Sequence, residues 1–170
     1  MINRELINPQ SIVVVGGSNN VHKPGGRLVR NLLDGKYKGE LYVVNAKEDD
    51  VQGLKSYHSV HDIPETELAI ISIPGPACPE AVDVLAKQKN VKAFIVISAG
   101  FGEETHEGAI LEEQMLKSIN EAGASLIGPN CIGLMNIMVF LLSRFPNFMQ
   151  TGSILFPVLA VRHFSLLNRL

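Results

Sequence analysis

The residues most suited to chemistry form one short run, Gly16-Gly17-Ser18-Asn19-Asn20. Paired glycines let a chain turn sharply and approach a ligand with its backbone. The N–H groups that follow, together with the positive end of the next helix, can hold a phosphate. On this reading a side chain at Gly17 would add bulk on the phosphate side of the loop. The same run also suits a tight strand-to-helix turn that binds nothing. Lys23 and Lys47 each offer a point charge to a phosphate, or a merely solvated one. The run is not the dinucleotide fingerprint, because G-x-G-x-x-G is missing. The residue after the second apolar segment is Asn45, where a nicotinamide nucleotide would want Asp or Glu for its ribose hydroxyls.

Other reactive types are scattered. His22, His58, His61 and His106 fall in loops or helix starts without ligand spacing, so no metal site is expected. Cys78 and Cys131 are too few for a disulfide framework and have no zinc-ligand companions, so both read as small buried hydrophobes. No Ser-His-Asp arrangement and no activated Cys follows from the spacing.

The elements that must position the glycine run are legible. Ser11–Val15, Glu40–Val44, Leu68–Ile73, Ala93–Ile97 and the shorter Ala124–Ile127 have strand length and β-branched content. They are continuously apolar and do not alternate, as strands do when both faces of a parallel sheet are covered. Between them lie helical patterns. Val29, Leu32 and Leu33 share a face between Gly25 and Asp34, and Val82, Leu85 and Ala86 do so between Cys78 and Lys89. In 107–121, Ile110, Leu111, Met115 and Ile119 line up opposite Glu112, Glu113 and Lys117. The alternation predicts an α/β fold with a doubly wound parallel sheet.

Such sheets bind ligands beyond the carboxyl ends of their strands, near the point where strand order reverses. The strand exits are Gly16–Asn20, Asn45-Ala46-Lys47, Pro74-Gly75-Pro76, Ser98-Ala99-Gly100-Phe101 and Gly128-Pro129-Asn130-Cys131. Every strand end carries small, polar or helix-capping types, which suits a phosphate-bearing ligand lying over the sheet edge. Ile73-Pro74 reads equally as a rigid ligand-lining exit or a plain turn.

Composition narrows the class. The 170 residues are 46% hydrophobic, enough for a single domain with a sizeable core. A net charge of −2, no Trp and 6% aromatics argue against nucleic acid as a partner. No secretory leader and no membrane-length apolar run is visible, so a cytoplasmic protein that does not enter a membrane is expected. The charge is uneven. Residues 1–136 hold 12 basic and 17 acidic side chains, whereas 137–170 hold three Arg, no other charge and five of the seven Phe. A boundary is expected there, between a folded domain of residues 1–136 and a hydrophobic tail of residues 137–170.

Taken together, the motifs resemble those of the ADP-forming acyl-CoA synthetases, which include the acetate–CoA ligases. Pro9-Gln10-Ser11-Ile12-Val13-Val14-Val15-Gly16-Gly17-Ser18 is similar to their opening P-x-S-I-A-V-V-G-A-S. Tyr42-Val43-Val44-Asn45-Ala46-Lys47 is similar to Y-P-V-N-P-K, Ile97-Ser98-Ala99-Gly100-Phe101 to S-A-G-F, and Gly128-Pro129-Asn130-Cys131-Ile132-Gly133 to G-P-N-C-x-G. The segments occur in the family's order and cover residues 1–136. The resemblance implies a Rossmann-like CoA-binding domain of the kind shared with the succinyl-CoA synthetase alpha subunit.

It further implies residue roles. The loop from Gly16 and Gly17 through Ser18 and Asn19, with Lys23, Asn45 and Lys47, would handle the phosphates of coenzyme A. Ile73, Pro74, Ser98, Ala99 and Gly100 would line the pantetheine path, with Asn130 toward the thiol end. Val43 and Ala46 replace the family's two prolines, which predicts a less rigid second loop.

After Met135-Asn136 the resemblance stops. Read one base out of frame from Val139, the tail can encode a string containing F-I-S-G-S-G, similar to the opening of the family's second domain. A frame slip near Met135–Met138 is therefore expected, against the alternative of a genuine hydrophobic C-terminal segment. His163 has no neighbours like those of the family's phosphorylated His. Acyl and phosphoryl transfer in the family depend on that His loop and an ATP-grasp unit, so this chain alone is expected to be inactive unless those domains reach it as separate partners. A free-standing CoA- or nucleotide-binding regulatory module is the second reading. A nicotinamide oxidoreductase is a third, weakened by Asn45 and the missing fingerprint.

Overall fold

The computed structural model describes residues 2–102 and 104–131. The hydrophobic tail, His163 and the expected frame slip lie outside the described residues. Among the described residues four α-helices and seven strands follow in chain order: α1 (Arg4–Ile7), β1 (Ser11–Val15), α2 (Pro24–Asp34), β2 (Glu40–Val44), β3 (Asp50–Val51), β4 (Leu54–Tyr57), β5 (Leu68–Ile71), α3 (Cys78–Gln88), β6 (Ala93–Val96), α4 (His106–Glu121) and β7 (Ser125–Ile127).

The strands form one sheet in the order β3-β4-β2-β1-β5-β6-β7. Every pairing is parallel except β3 with β4. Leaving aside the two-residue β3, the order is that of a doubly wound nucleotide-binding sheet, with β1 and β5 flanking the point where the chain reverses direction across the sheet.

Strand alternation splits the core into two layers. Val13, Val15, Ala69, Ile71, Phe94 and Val96 pack with Val82, Leu85 and Ala86 of α3 and Met115 and Ile119 of α4. On the opposite face Ile12, Val14, Leu68, Ile70 and Ile95 pack with Leu6 of α1 and Leu28, Val29 and Leu32 of α2. All five residues of β1 are buried, which is why its sequence shows no polar alternation.

Two local expectations need correction. Ile110 is 45% exposed and off the buried stripe of α4, which instead runs through Gly108, Met115, Ser118 and Ile119. The helix is capped at its start by Thr105, whose side chain accepts from the Gly108 N–H at 2.9 Å, and Gly108 is turned inward against Phe101, where a Cβ would stand 2.2 Å from the carbonyl oxygen. Cys78 is buried as expected, but Cys131 is only half-buried. Among the described residues no helix is long and apolar enough to cross a membrane.

Candidate functional site

The first strand exit lies at the switch point and is shaped by what its glycines touch. Gly16 has φ +90°, a left-handed conformation that side chains disfavour, and a Cβ there would stand 2.3 Å from the Ser72 carbonyl oxygen. The turn after β1 is thus pressed against the exit of β5. A Cβ on Gly17 would meet Val43 Cγ1 at 2.4 Å and Val29 Cγ2 at 3.1 Å. That side of Gly17 faces the core, so the expectation that its bulk would fill the phosphate side is overturned.

Helix α2 then starts with Lys23 at its N-cap and Pro24 in its first turn, and the Lys23 side chain makes no cap bond. Gly25 and Gly26 follow, both buried. A Cβ on Gly25 would lie 1.9 Å from the Gly16 carbonyl oxygen, and one on Gly26 would lie 2.1 Å from that of Asn20. Gly25 therefore does the work of the last fingerprint glycine, close packing of helix on strand, nine positions after Gly16. A longer loop is folded into the same place, which explains why the spacing of the fingerprint fails. Two consecutive glycines in a helix's first turn were the available sign of this close approach, since glycine is otherwise unfavourable there.

The loop is braced from outside by side chains. Asn45 Nδ2 donates to the Gly17 carbonyl at 2.7 Å, while Asn45 Oδ1 accepts from the N–H groups of Lys47 at 2.8 Å and Glu48 at 3.1 Å. Its side chain is committed to the protein, and it replaces by hydrogen bonds some of the rigidity that two prolines would give this turn. Gln52 Nε2 donates to the Ser18 and Gly26 carbonyls, both at 2.8 Å. The Ser18 hydroxyl accepts from the Asn20 N–H at 3.1 Å. Asn19 donates from both its N–H and Nδ2 to the Glu48 carboxylate, and its Oδ1 accepts from the Gln52 N–H at 2.7 Å. Gly25, Gly26, Glu48 and Gln52 were all missed as site residues by sequence reasoning. For Gln52 no sequence signal existed, because its role follows from the β3–β4 hairpin folding back onto the loop, whereas Glu48 is set by the turn after β2 that Asn45 closes.

The remaining strand exits form a second cluster. The Ser98 hydroxyl donates to the Ile73 carbonyl at 2.5 Å, and the Asn130 N–H donates to the Ser98 carbonyl at 3.0 Å. The Cys78 thiol approaches the Ile73 and Pro74 carbonyls at 3.6 Å, and burial pushes it above its ordinary pKa, which makes it a poor nucleophile. Gly75 lies against Ala99 and Gly100, so that a Cβ there would meet their carbonyl oxygens at 3.2 and 3.3 Å. Asn130 is exposed with φ 52°. Structure thus joins Gly16 and Gly17 with Asn45 on one side of the switch point, and Ile73, Pro74, Ser98, Ala99, Gly100 and Asn130 on the other. The contact between Gly16 and Ser72 links the two groups. Lys23 and Lys47 are exposed near the first cluster and their side chains are available to solvent.

Among the described residues no group of three or more His, Cys, Asp or Glu is placed to hold a metal ion. His58 is engaged instead with the Asn45 carbonyl at 3.2 Å and the Asp49 carboxylate at 2.9 Å.

A parallel sheet with a glycine-rich loop braced at its switch point defines a nucleotide-binding α/β domain. The CoA binding domain family matches residues 10–137, and the chain belongs to that family. It is 37% identical over 153 residues to the alpha subunit of an ADP-forming acetate–CoA ligase II of Pyrococcus furiosus, covering 89% of this chain and 33% of the relative. It is 39% identical over 134 residues to an ADP-forming acetate–CoA ligase II of Archaeoglobus fulgidus, covering 78% of this chain and 20% of that protein. Among solved structures, an acetyl-coenzyme A synthetase of Candidatus Korarchaeum cryptofilum in complex with phosphate and ADP superposes with a TM-score of 0.74 at 34% identity, over 81% of this chain and 29% of that one. The chain therefore spans a third or less of the ligases it matches. A conserved hypothetical protein of Pyrococcus furiosus, 25% identical with a TM-score of 0.54, is covered over 96% of its own length.

Proposed function

We propose that the carboxyl edge of this sheet binds coenzyme A as the CoA-binding domain of an ADP-forming acyl-CoA synthetase. The observation that carries the reading is the braced loop Gly16–Asn20 at the switch point of a chain that belongs to the CoA binding domain family. Backbone N–H groups of the loop and the start of α2 would meet the phosphates, with Lys23 and Lys47 supplying charge. Asn45 acts behind the loop, as a brace. The pantetheine would run past Ile73, Pro74 and the Ser98-Ala99-Gly100 turn, with its thiol toward Asn130. These residues offer the ligand shape and hydrogen bonds. Acyl and phosphoryl transfer belong to the assembled enzyme, and the companion domains are proposed as partners in the cytoplasm.

Calorimetric titration of the full chain with CoA tests the reading, with NADH as the control. Saturable binding of CoA with none of NADH is expected. NADH binding without CoA binding would return the chain to the oxidoreductases.

A second reading, a free-standing CoA-binding module, is favoured by one observation: a domain-sized Pyrococcus protein is covered almost end to end by this fold. The nucleotide sequence across residues 130–170 separates the two. Codons that permit the out-of-frame string, followed by an open frame for the remaining synthetase domains, support the first reading and the proposed frame slip. Codons incompatible with that string support the second.

A further inference from the structure

The loop that would receive phosphate already holds an anion. Glu48 Oε2 accepts from the Asn19 backbone N–H at 3.1 Å and from Asn19 Nδ2 at 2.9 Å. Asn19 is the loop residue directly after Ser18, and its amide is one of those a phosphate would seek. Glu48 is delivered there by its own turn, since its N–H donates to Asn45 Oδ1 and Asn45 in turn holds Gly17. The same turn fixes Lys47 one residue earlier, so a cation and an anion are presented side by side at the loop. The neighbouring acids are otherwise engaged. Asp49 pairs with His58 at 2.9 Å, and Asp50 accepts from the Gly53 N–H at 3.0 Å.

We propose that Glu48 is a specificity-determining residue of the CoA site, an internal carboxylate that competes with ligand phosphate for the Asn19 amide and repels added negative charge. The inference rests on the CoA-binding reading above. A phosphate entering the loop must either displace the carboxylate or sit beside it, and in both cases the cost rises with the ligand's charge. An acid beyond the second strand of a nucleotide-binding sheet also has a favourable use, because it accepts from a ribose hydroxyl. Glu48 therefore favours a ribose that presents hydroxyls and penalises one that carries a phosphate. CoA, which carries a 3′-phosphate, bears that penalty, and 3′-dephospho-CoA escapes much of it.

The test is Glu48→Gln in the full chain, titrated with CoA and with 3′-dephospho-CoA. Glutamine keeps one acceptor oxygen for the Asn19 N–H and removes the charge, while its amide nitrogen puts a donor in place of the second oxygen. Because Asn19 is exposed and the charges are screened, the expected gain for CoA is about 3- to 5-fold, with about 2-fold or less for 3′-dephospho-CoA. An equal gain for both ligands, no gain, or a loss would overturn the proposal, and a loss would assign Glu48 to holding the loop in shape. Inorganic pyrophosphate, followed at the Asn19 amide by nuclear magnetic resonance, separates this from the CoA reading. If neither form of the protein binds CoA, the CoA reading fails. Saturation by pyrophosphate at lower concentration in Glu48→Gln would then still uphold competition at the loop, and no difference would overturn it.

Discussion

The Asn45 side chain joins the second strand exit to the first, donating from Nδ2 to the Gly17 carbonyl at 2.7 Å while its Oδ1 closes the turn to Lys47 and Glu48. One side chain thereby sets the geometry of both loops. Asn45→Asp keeps the acceptor and loses the donor, leaving the Gly17 carbonyl facing a carboxylate. The expected cost is about 1–3 kcal/mol of stability, the usual penalty for stranding a partly buried polar group. CoA affinity should fall with it. Urea unfolding and calorimetry on the same preparation would check both, and an Asn45→Asp protein as stable as the parent would remove the brace.

Gly17→Val is expected to damage the fold before it damages binding. A Cβ at this position meets Val43 Cγ1 at 2.4 Å, inside the layer formed with α2, and valine adds two more carbons there. Overpacking of this kind costs about 1–3 kcal/mol. A lowered unfolding midpoint is the expected outcome. Native stability with lost CoA binding would instead place the added side chain on the ligand side.

At the amino ends of the strands, just before the central β5, Glu67 ties α1 to the core. The hydrogen bond from Arg4 at 2.6 Å, helped by the Gln10 N–H at 2.7 Å, holds the Glu67 carboxyl below its ordinary range against the opposing effect of burial. A carboxyl whose folded pKa is depressed contributes stability above its unfolded pKa, and loses that contribution as pH falls through the folded one. Glu67→Gln should therefore be less stable than the parent at neutral pH, and the gap should close below about pH 4. A gap that persists unchanged at pH 3 would show that charge is not its source.

How much of this was legible in the sequence depended on burial. Strands β1, β2 and β7 end where the apolar runs place their exits, whereas β5 and β6 end at Ile71 and Val96, short of the expected Ile73 and Ile97. The hairpin Asp50–Tyr57 was not legible. Leu54-Lys55-Ser56-Tyr57 is half polar because β4 lies near the edge, covered on one side only by the two-residue β3. Missing that hairpin meant missing Gln52, which reaches the loop through it, while Glu48 lies before the hairpin, in the turn that Asn45 closes. Helix α1 is four residues long and was invisible for the same reason, with Leu6 alone buried. Asn45 was found, but its commitment to Gly17 is a matter of geometry that residue type does not carry.

Lys47 supplies the last test, because it separates charge from scaffold at the same loop. Its backbone N–H is used by Asn45 Oδ1 at 2.8 Å, and its side chain is exposed. Lys47→Ala keeps the backbone bond and removes the cation, so the turn and the stability of the protein should stay unchanged. A solvated ammonium meeting a phosphate is a screened point charge, and losing it should weaken CoA binding by about 2- to 5-fold at moderate salt. The loss should shrink as salt is raised from about 0.05 to 0.5 M, since a tenfold rise in salt shortens the Debye length about threefold. Titrations at the two salt concentrations would check this. A loss that does not depend on salt would mean that Lys47 acts through packing, and no loss at either concentration would take it out of the phosphate site and leave the backbone of Gly16–Asn20 to hold the ligand without it.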